Sequence, residues 1–71
     1  MLIRLEDKAF LDDLCAHFRR SEFVVEPAGG SMLEVRRPDA PSPDQERREI
    51  ELHLSVWTAT NPIALADLVP E

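Results

Sequence analysis

The chain has 71 residues, of which 44% are hydrophobic and 31% charged, and it carries a net charge of −6 at pH 7. This length predicts a single domain, residues 1–71, close to the lower limit for a self-sufficient core. The acidic balance argues against a nucleic-acid binder or an anionic-membrane binder, because neutralising phosphates needs a basic surface. One cysteine excludes an internal disulfide and a multi-cysteine metal site. No signal-peptide pattern or membrane-length apolar run is visible, so we expect a cytoplasmic protein.

The chain begins with a predicted strand followed by a helix. Met1 to Leu5 alternates and places Ile3 and Leu5 on one face. Asp7 suits the N-cap of a helix that runs to about Arg20. The apolar residues of that helix fall on one arc: Phe10, Leu11, Leu14, Cys15 and Phe18.

A hairpin is predicted next. Residues 22–26 form a short segment with β-branched and aromatic side chains, a composition that is typical of a strand. Residues 27–31 contain both glycines and predict a turn. Residues 32–36 alternate again, with Leu33 and Val35 on one side.

Residues 42–61 predict one long helix. Ser42, a following proline and Gln45 match a capping box, and Asn61 followed by proline suits a left-handed cap at the end. On this helix the apolar arc is wide: Ile50, Leu52, Leu54, Val56, Trp57 and Ala59, with His53 among them. The rival interpretation is a strand, because apolar and polar residues alternate over residues 50–56. Capping and the separation of faces favour the helix.

A last run, residues 63–69, predicts a fourth strand by its position. The element order is therefore strand, helix, strand, strand, helix, strand. It predicts an α+β domain with the ferredoxin-like split arrangement: a four-stranded antiparallel sheet with two helices on one face. The alternative is a mostly β domain in which residues 49–58 and 63–69 form a hairpin.

The uncovered face of such a sheet should be mainly polar, yet Leu2, Val24 and Met32 are predicted to point towards it. The last strand adds either Ile63, Leu65 and Val69 or Ala64, Ala66 and Leu68 to the same side. Scattered surface hydrophobes explain this pattern about as well as a contact surface does, most simply that of a symmetric homodimer. The small size of the domain favours the dimer.

Residues with reactive or ligating side chains are few. Cys15 lies in the apolar arc of the first helix and is expected to be a small buried hydrophobe. Cys15 and His17 point about 160° apart on a helix, so they cannot chelate one ion. His53 lies one turn before Trp57, and the commoner role for such a histidine is to bond a backbone carbonyl or to pack on the indole. The sharper hypothesis is a ligand pocket at His53 and Trp57, which His17 could approach from the first helix.

We therefore expect a non-enzymatic interaction module that self-associates or docks a partner protein through Leu2, Val24 and Met32. The alternative is a small-molecule-binding or regulatory domain with its pocket near His53 and Trp57. No nucleophile–base pair, metal set or cofactor motif is visible, so we predict no catalytic residues, metal or cofactor. Nucleic-acid and membrane partners are not expected.

Overall fold

The computed structural model describes residues 1–70. It contains four strands and two helices, and a single 3₁₀ turn (Lys8–Phe10) leads into the first helix. The elements in chain order are β1 (Leu2–Leu5), α1 (Leu11–Arg20), β2 (Val24–Pro27), β3 (Met32–Arg36), α2 (Pro43–Thr60) and β4 (Ala66–Leu68).

The four strands form one antiparallel sheet in the order β2-β3-β1-β4. β3 therefore lies between β1 and β2, and β1 lies between β3 and β4. Each helix joins two strands that have one other strand between them, which lets both helices return to the same side of the sheet. The predicted α+β class, with a four-stranded antiparallel sheet and two helices, is confirmed.

One face of the sheet forms the core with both helices. Alternate residues of the strands point into it, as the sequence predicted for Ile3, Leu33 and Val35. Burial of these apolar side chains is the main stabilising contribution, at about 25 cal/mol per Å² removed from water. The buried cluster consists of Ile3, Leu5, Leu14, Phe18, Phe23, Val25, Leu33, Val35, Ile50, Leu54, Trp57 and Ala64.

The C-terminus of α1 ends in a Schellman motif. The backbone N–H of Phe23 donates to the carbonyl of Phe18 at 3.1 Å, and that of Glu22 donates to the carbonyl of Arg19 at 3.0 Å. Glu22 occupies the left-handed position of the motif with φ of 67°, where glycine is the usual residue. The rings of Phe18 and Phe23 meet edge-on at 5.2 Å, the apolar contact that accompanies this motif.

Helix α2 confirms one predicted cap and corrects the other. The Ser42 hydroxyl accepts from the Gln45 N–H at 3.1 Å, as an N-cap should. Asn61 has φ of −124°, so it is not left-handed; instead its backbone N–H and its side-chain amide both donate to the Trp57 carbonyl at 3.0 Å. Residues 49–58 are helical throughout, so the alternative of a mostly β domain with a hairpin there is wrong.

The apolar arc predicted for α2 divides into two stripes. Ile50, Leu54 and Trp57, spaced by four and three residues, face the core. Leu52 and Val56 point to solvent and are 62% and 53% exposed. The buried stripe of the helix is therefore narrower than its composition suggested.

The last strand is shorter than predicted, at three residues instead of residues 63–69. Ala64 is buried, and Ala66 and Leu68 pack against the core. Leu65 is 62% exposed and Ile63 is 82% exposed. Of the two sets that the sequence left open, Ala64, Ala66 and Leu68 is therefore the inward one.

Replacing Glu22 by glycine should stabilise the fold, because glycine adopts positive φ without steric cost. We expect the free energy of unfolding to rise by about 0.5–1 kcal/mol. Urea denaturation followed by circular dichroism measures this. Glu22→Ala is the matched control: it removes the same carboxylate but keeps a Cβ at φ of 67°, so it should give no gain. Equal stabilisation by both variants would show that charge, not backbone strain, determines stability at this position.

Candidate functional site

The structure brings His17 and His53 together between α1 and α2. Their ring centroids are 6.1 Å apart. His17 Nε2 donates to the His53 carbonyl at 3.0 Å, and His53 Nδ1 donates to the Glu49 carbonyl at 2.8 Å. The His53 ring also packs against Phe23, with centroids 4.9 Å apart. His17 thus ties α1 to α2, while His53 is held against its own helix, which is the commoner of the two roles expected for His53.

Trp57 lies one turn further along α2 and is only 3% exposed. Its indole Nε1 donates to Asp13 Oδ2 at 2.8 Å, and its ring meets that of Phe10 edge-on at 6.3 Å. The side chain therefore fills the core and has its polar atom satisfied by α1. No local pattern in the sequence indicates the Asp13 contact, because Asp13 lies opposite the apolar arc of its own helix.

Arg37 is a further residue that sequence reasoning missed, because a charge at the end of a strand is usually solvated. Its backbone N–H donates to Glu46 Oε2 at 2.8 Å, and Nη1 donates to the Ser21 carbonyl at 3.2 Å. The guanidinium lies 4.7 Å from the centroid of Phe23, and its Nε lies 3.8 Å from Glu49 Oε2. Arg37 joins the end of β3 to α2 and to the α1–β2 turn, and this role is structural.

The cavities do not coincide with the predicted ligand site. Three surface openings among residues 1–70 have volumes of about 330, 260 and 160 Å³. They lie around Met1, the loop before α2 and the first turns of that helix, and none of the three is lined by His17, His53 or Trp57. In the same part of the chain, no group of three or more histidine, cysteine or acidic residues could hold a metal ion. Neither helix there has the length and apolar character to cross a bilayer.

The uncovered face of the sheet carries all three residues predicted for a protein interface. Leu2 and Met32 are half-buried, and Val24 is 46% exposed. The pairing of Arg4 with Asp67 across β1 and β4 sets the outward positions of the last strand. Leu65 and Val69, two residues on either side of Asp67, alternate onto the same side. We define the open face as the outward residues Leu2, Arg4, Val24, Glu26, Met32, Glu34, Arg36, Leu65, Asp67 and Val69.

Charges on the open face are arranged unevenly. Arg4 forms an exposed ion pair with Asp67, with 3.2 Å between Nη2 and Oδ2. Glu26 and Glu34 lie directly opposite each other on β2 and β3, which is an unfavourable like-charge pair. The amine of Met1 contacts Glu34 Oε1 at 3.2 Å and offsets part of that repulsion. The open face therefore carries a compensated pair, Arg4 with Asp67, and an acidic pair, Glu26 with Glu34, that is only partly offset.

Two features of β2 hinder the addition of a further strand at the outer edge of the sheet. Arg19 Nη2 donates to the outward carbonyl of Val25 at 3.4 Å, and Pro27 has no N–H to offer. At the other edge, β4 has only three residues. Both edges of the sheet therefore offer little backbone for strand addition.

Comparison with protein-family models, with curated proteins and with solved structures finds no match. The ferredoxin-like grouping therefore stays a prediction based on element order.

Replacing Asp13 by alanine should remove the carboxylate partner of the Trp57 indole N–H, on a tryptophan that is 3% exposed. We expect the free energy of unfolding to fall by about 1–3 kcal/mol. Asp12→Ala is the matched control, because it removes a neighbouring exposed carboxylate from the same helix turn. Urea titrations followed by circular dichroism compare the two. Equal losses would mean that the helix dipole, not the indole contact, accounts for the effect.

Arg37→Lys keeps the charge but removes the planar guanidinium that contacts both Ser21 and Phe23. We expect a loss of about 1–2 kcal/mol in the free energy of unfolding. Arg36→Lys, on the neighbouring exposed residue, should change stability by less than about 0.5 kcal/mol. Thermal and urea denaturation measure both, and an unchanged Arg37→Lys protein would contradict a structural role for the guanidinium.

Proposed function

We propose that the protein is a non-enzymatic interaction module that self-associates through the open face. The observation that carries this proposal is the apolar content of that face: Leu2, Val24, Met32, Leu65 and Val69 lie on the side of the sheet that neither helix covers. Antiparallel sheets that remain in water usually alternate cleanly between apolar and polar faces. A face with five apolar residues departs from that pattern and is typical of a contact surface.

Size supports the same proposal. The isolated chain has 4710 Å² of accessible surface. An ordinary protein interface hides about 800 Å² on each partner, which is about a sixth of that surface. Because a domain this short buries a limited share of its surface when alone, association adds burial that the fold cannot supply by itself. The cytoplasmic location expected from the sequence remains part of the proposal.

The small-molecule alternative has less support. His17 and His53 each use one ring nitrogen in a hydrogen bond to a backbone carbonyl, and Trp57 is packed in the core. A side chain that lines a ligand pocket must be accessible to the ligand. Trp57 is buried, and His17 and His53 are only partly exposed. The apolar groups that remain exposed belong mainly to the open face and to the outer stripe of α2.

Replacing Val24 by glutamate tests the proposal, because it places a charge in the contact. We expect the wild-type protein to dimerise with increasing concentration and Val24→Glu to raise the dimer dissociation constant at least about tenfold. Met32→Glu should behave alike. Sedimentation equilibrium measures the constants, and circular dichroism confirms that each variant is folded.

The matched control is Val56→Glu. It makes the same substitution at a valine of similar exposure, 53% against 46%, on the far side of the molecule. It should leave the dissociation constant unchanged. A wild-type protein that remains monomeric up to about millimolar concentration would overturn self-association, and equal weakening by Val24→Glu and Val56→Glu would exclude the open face as the contact.

A further inference from the structure

Four residues occupy the middle of the open face, and we call them the central quartet: Leu2, Arg4, Met32 and Glu34. The strand register places Leu2 directly opposite Glu34, and Arg4 directly opposite Met32. The two apolar residues therefore lie on one diagonal of a rectangle, and the two opposite charges lie on the other. This arrangement determines which charges meet when the quartet packs against an identical quartet.

Two identical sheets that pack face to face are related by a two-fold axis lying in the plane between them. If the axis runs along the strands through the middle of the quartet, Glu34 of the second copy comes to lie over Leu2, beside Arg4. If the axis runs across the strands, the same glutamate comes to lie over Met32, which is also beside Arg4. Either symmetry therefore brings each arginine next to the opposite charge of the other copy.

The distances permit these contacts. Residues two apart on a strand are separated by about 7 Å, neighbouring strands by about 4.8 Å, and packed sheets by about 10 Å. Long arginine and glutamate side chains bridge such a gap from opposite sheets. Arg4 already pairs with Asp67, and Glu34 with the Met1 amine, but their side chains remain 59% and 35% exposed, so each can accept a second partner.

Local charges also favour an incoming arginine. Glu34 faces Glu26 across the β2–β3 ladder, and these like charges repel. The Met1 amine contacts Glu34 only from one side. A guanidinium arriving from a second copy would offset the part of the repulsion that the Met1 amine leaves.

We propose that the occupant of the open face is a second copy of this chain, held in register by two reciprocal Arg4–Glu34 ion pairs around the packed Leu2 and Met32 side chains. This inference rests on the proposed function and adds the partner and its symmetry to it. The charges of the quartet pair with those of an identical quartet, and binding to an unrelated protein would not require this property. Electrostatic pairs of this kind fix register and partner choice more than they add affinity.

Charge exchange tests the proposal with two single variants, Arg4→Glu and Glu34→Arg. The first sets two acidic side chains against each other at both contacts of its homodimer, and the second sets two basic ones. Each variant alone should dimerise at least about tenfold more weakly than the wild type. An equimolar mixture should form a heterodimer, because each of its two contacts then joins one acidic and one basic side chain. Native mass spectrometry with one chain isotopically labelled separates the heterodimer from the two homodimers.

Arg48→Glu is the control, since it reverses an exposed charge on α2, away from the sheet face. Mixed with Glu34→Arg, it should give no preference for the heterodimer beyond that of the wild type mixed with Glu34→Arg. If the wild type dimerises but the exchanged pair gives no preferred heterodimer, the reciprocal ion pairs are wrong while the proposed function stands. If the wild type does not dimerise at all, the proposed function itself fails.

Discussion

The constraint on which the structure depends is that two helices must cover a four-stranded sheet, and they can cover only one side. Ile3, Leu33 and Val35 at the centre of the sheet are almost completely removed from water by α1 and α2. The part of the chain that the structure describes has no third layer with which to cover the other side. Its architecture therefore separates the molecule into a packed side, which holds the fold together, and a bare side, which is available for contact.

Polar groups on the packed side hold the elements in place. His17 and Trp57 direct ring N–H groups across the gap between the two helices, and His53 directs one to a carbonyl of its own helix. Arg37 makes similar contacts from the end of β3. Because a buried donor without a partner is costly, these contacts specify one arrangement of the helices in addition to stabilising it. Side chains that could in principle perform chemistry serve here to fix the packing.

The elements of the fold could be predicted from local patterns. Ser42 and Gln45 signalled the start of α2, and the two glycines marked the turn of the hairpin, where both adopt positive φ. Long-range contacts could not be predicted in the same way. The pairing of Trp57 with Asp13 depends on how α1 and α2 cross, and the exposure of Leu52 depends on how much of α2 the sheet covers. Helical periodicity identifies apolar positions but not which of them find a neighbour.

The hindered outer edge at β2 affects how copies of the protein can associate at high concentration. Sheets whose edges accept strands can join end to end into cross-β fibrils. Here the Arg19 guanidinium occupies the outward carbonyl of Val25, and Pro27 removes the next donor. Growth by strand addition is thus hindered at that edge, whereas face-to-face pairing around a two-fold axis ends at two copies. A chain that pairs through its open face, as proposed, would therefore stop at two copies instead of polymerising.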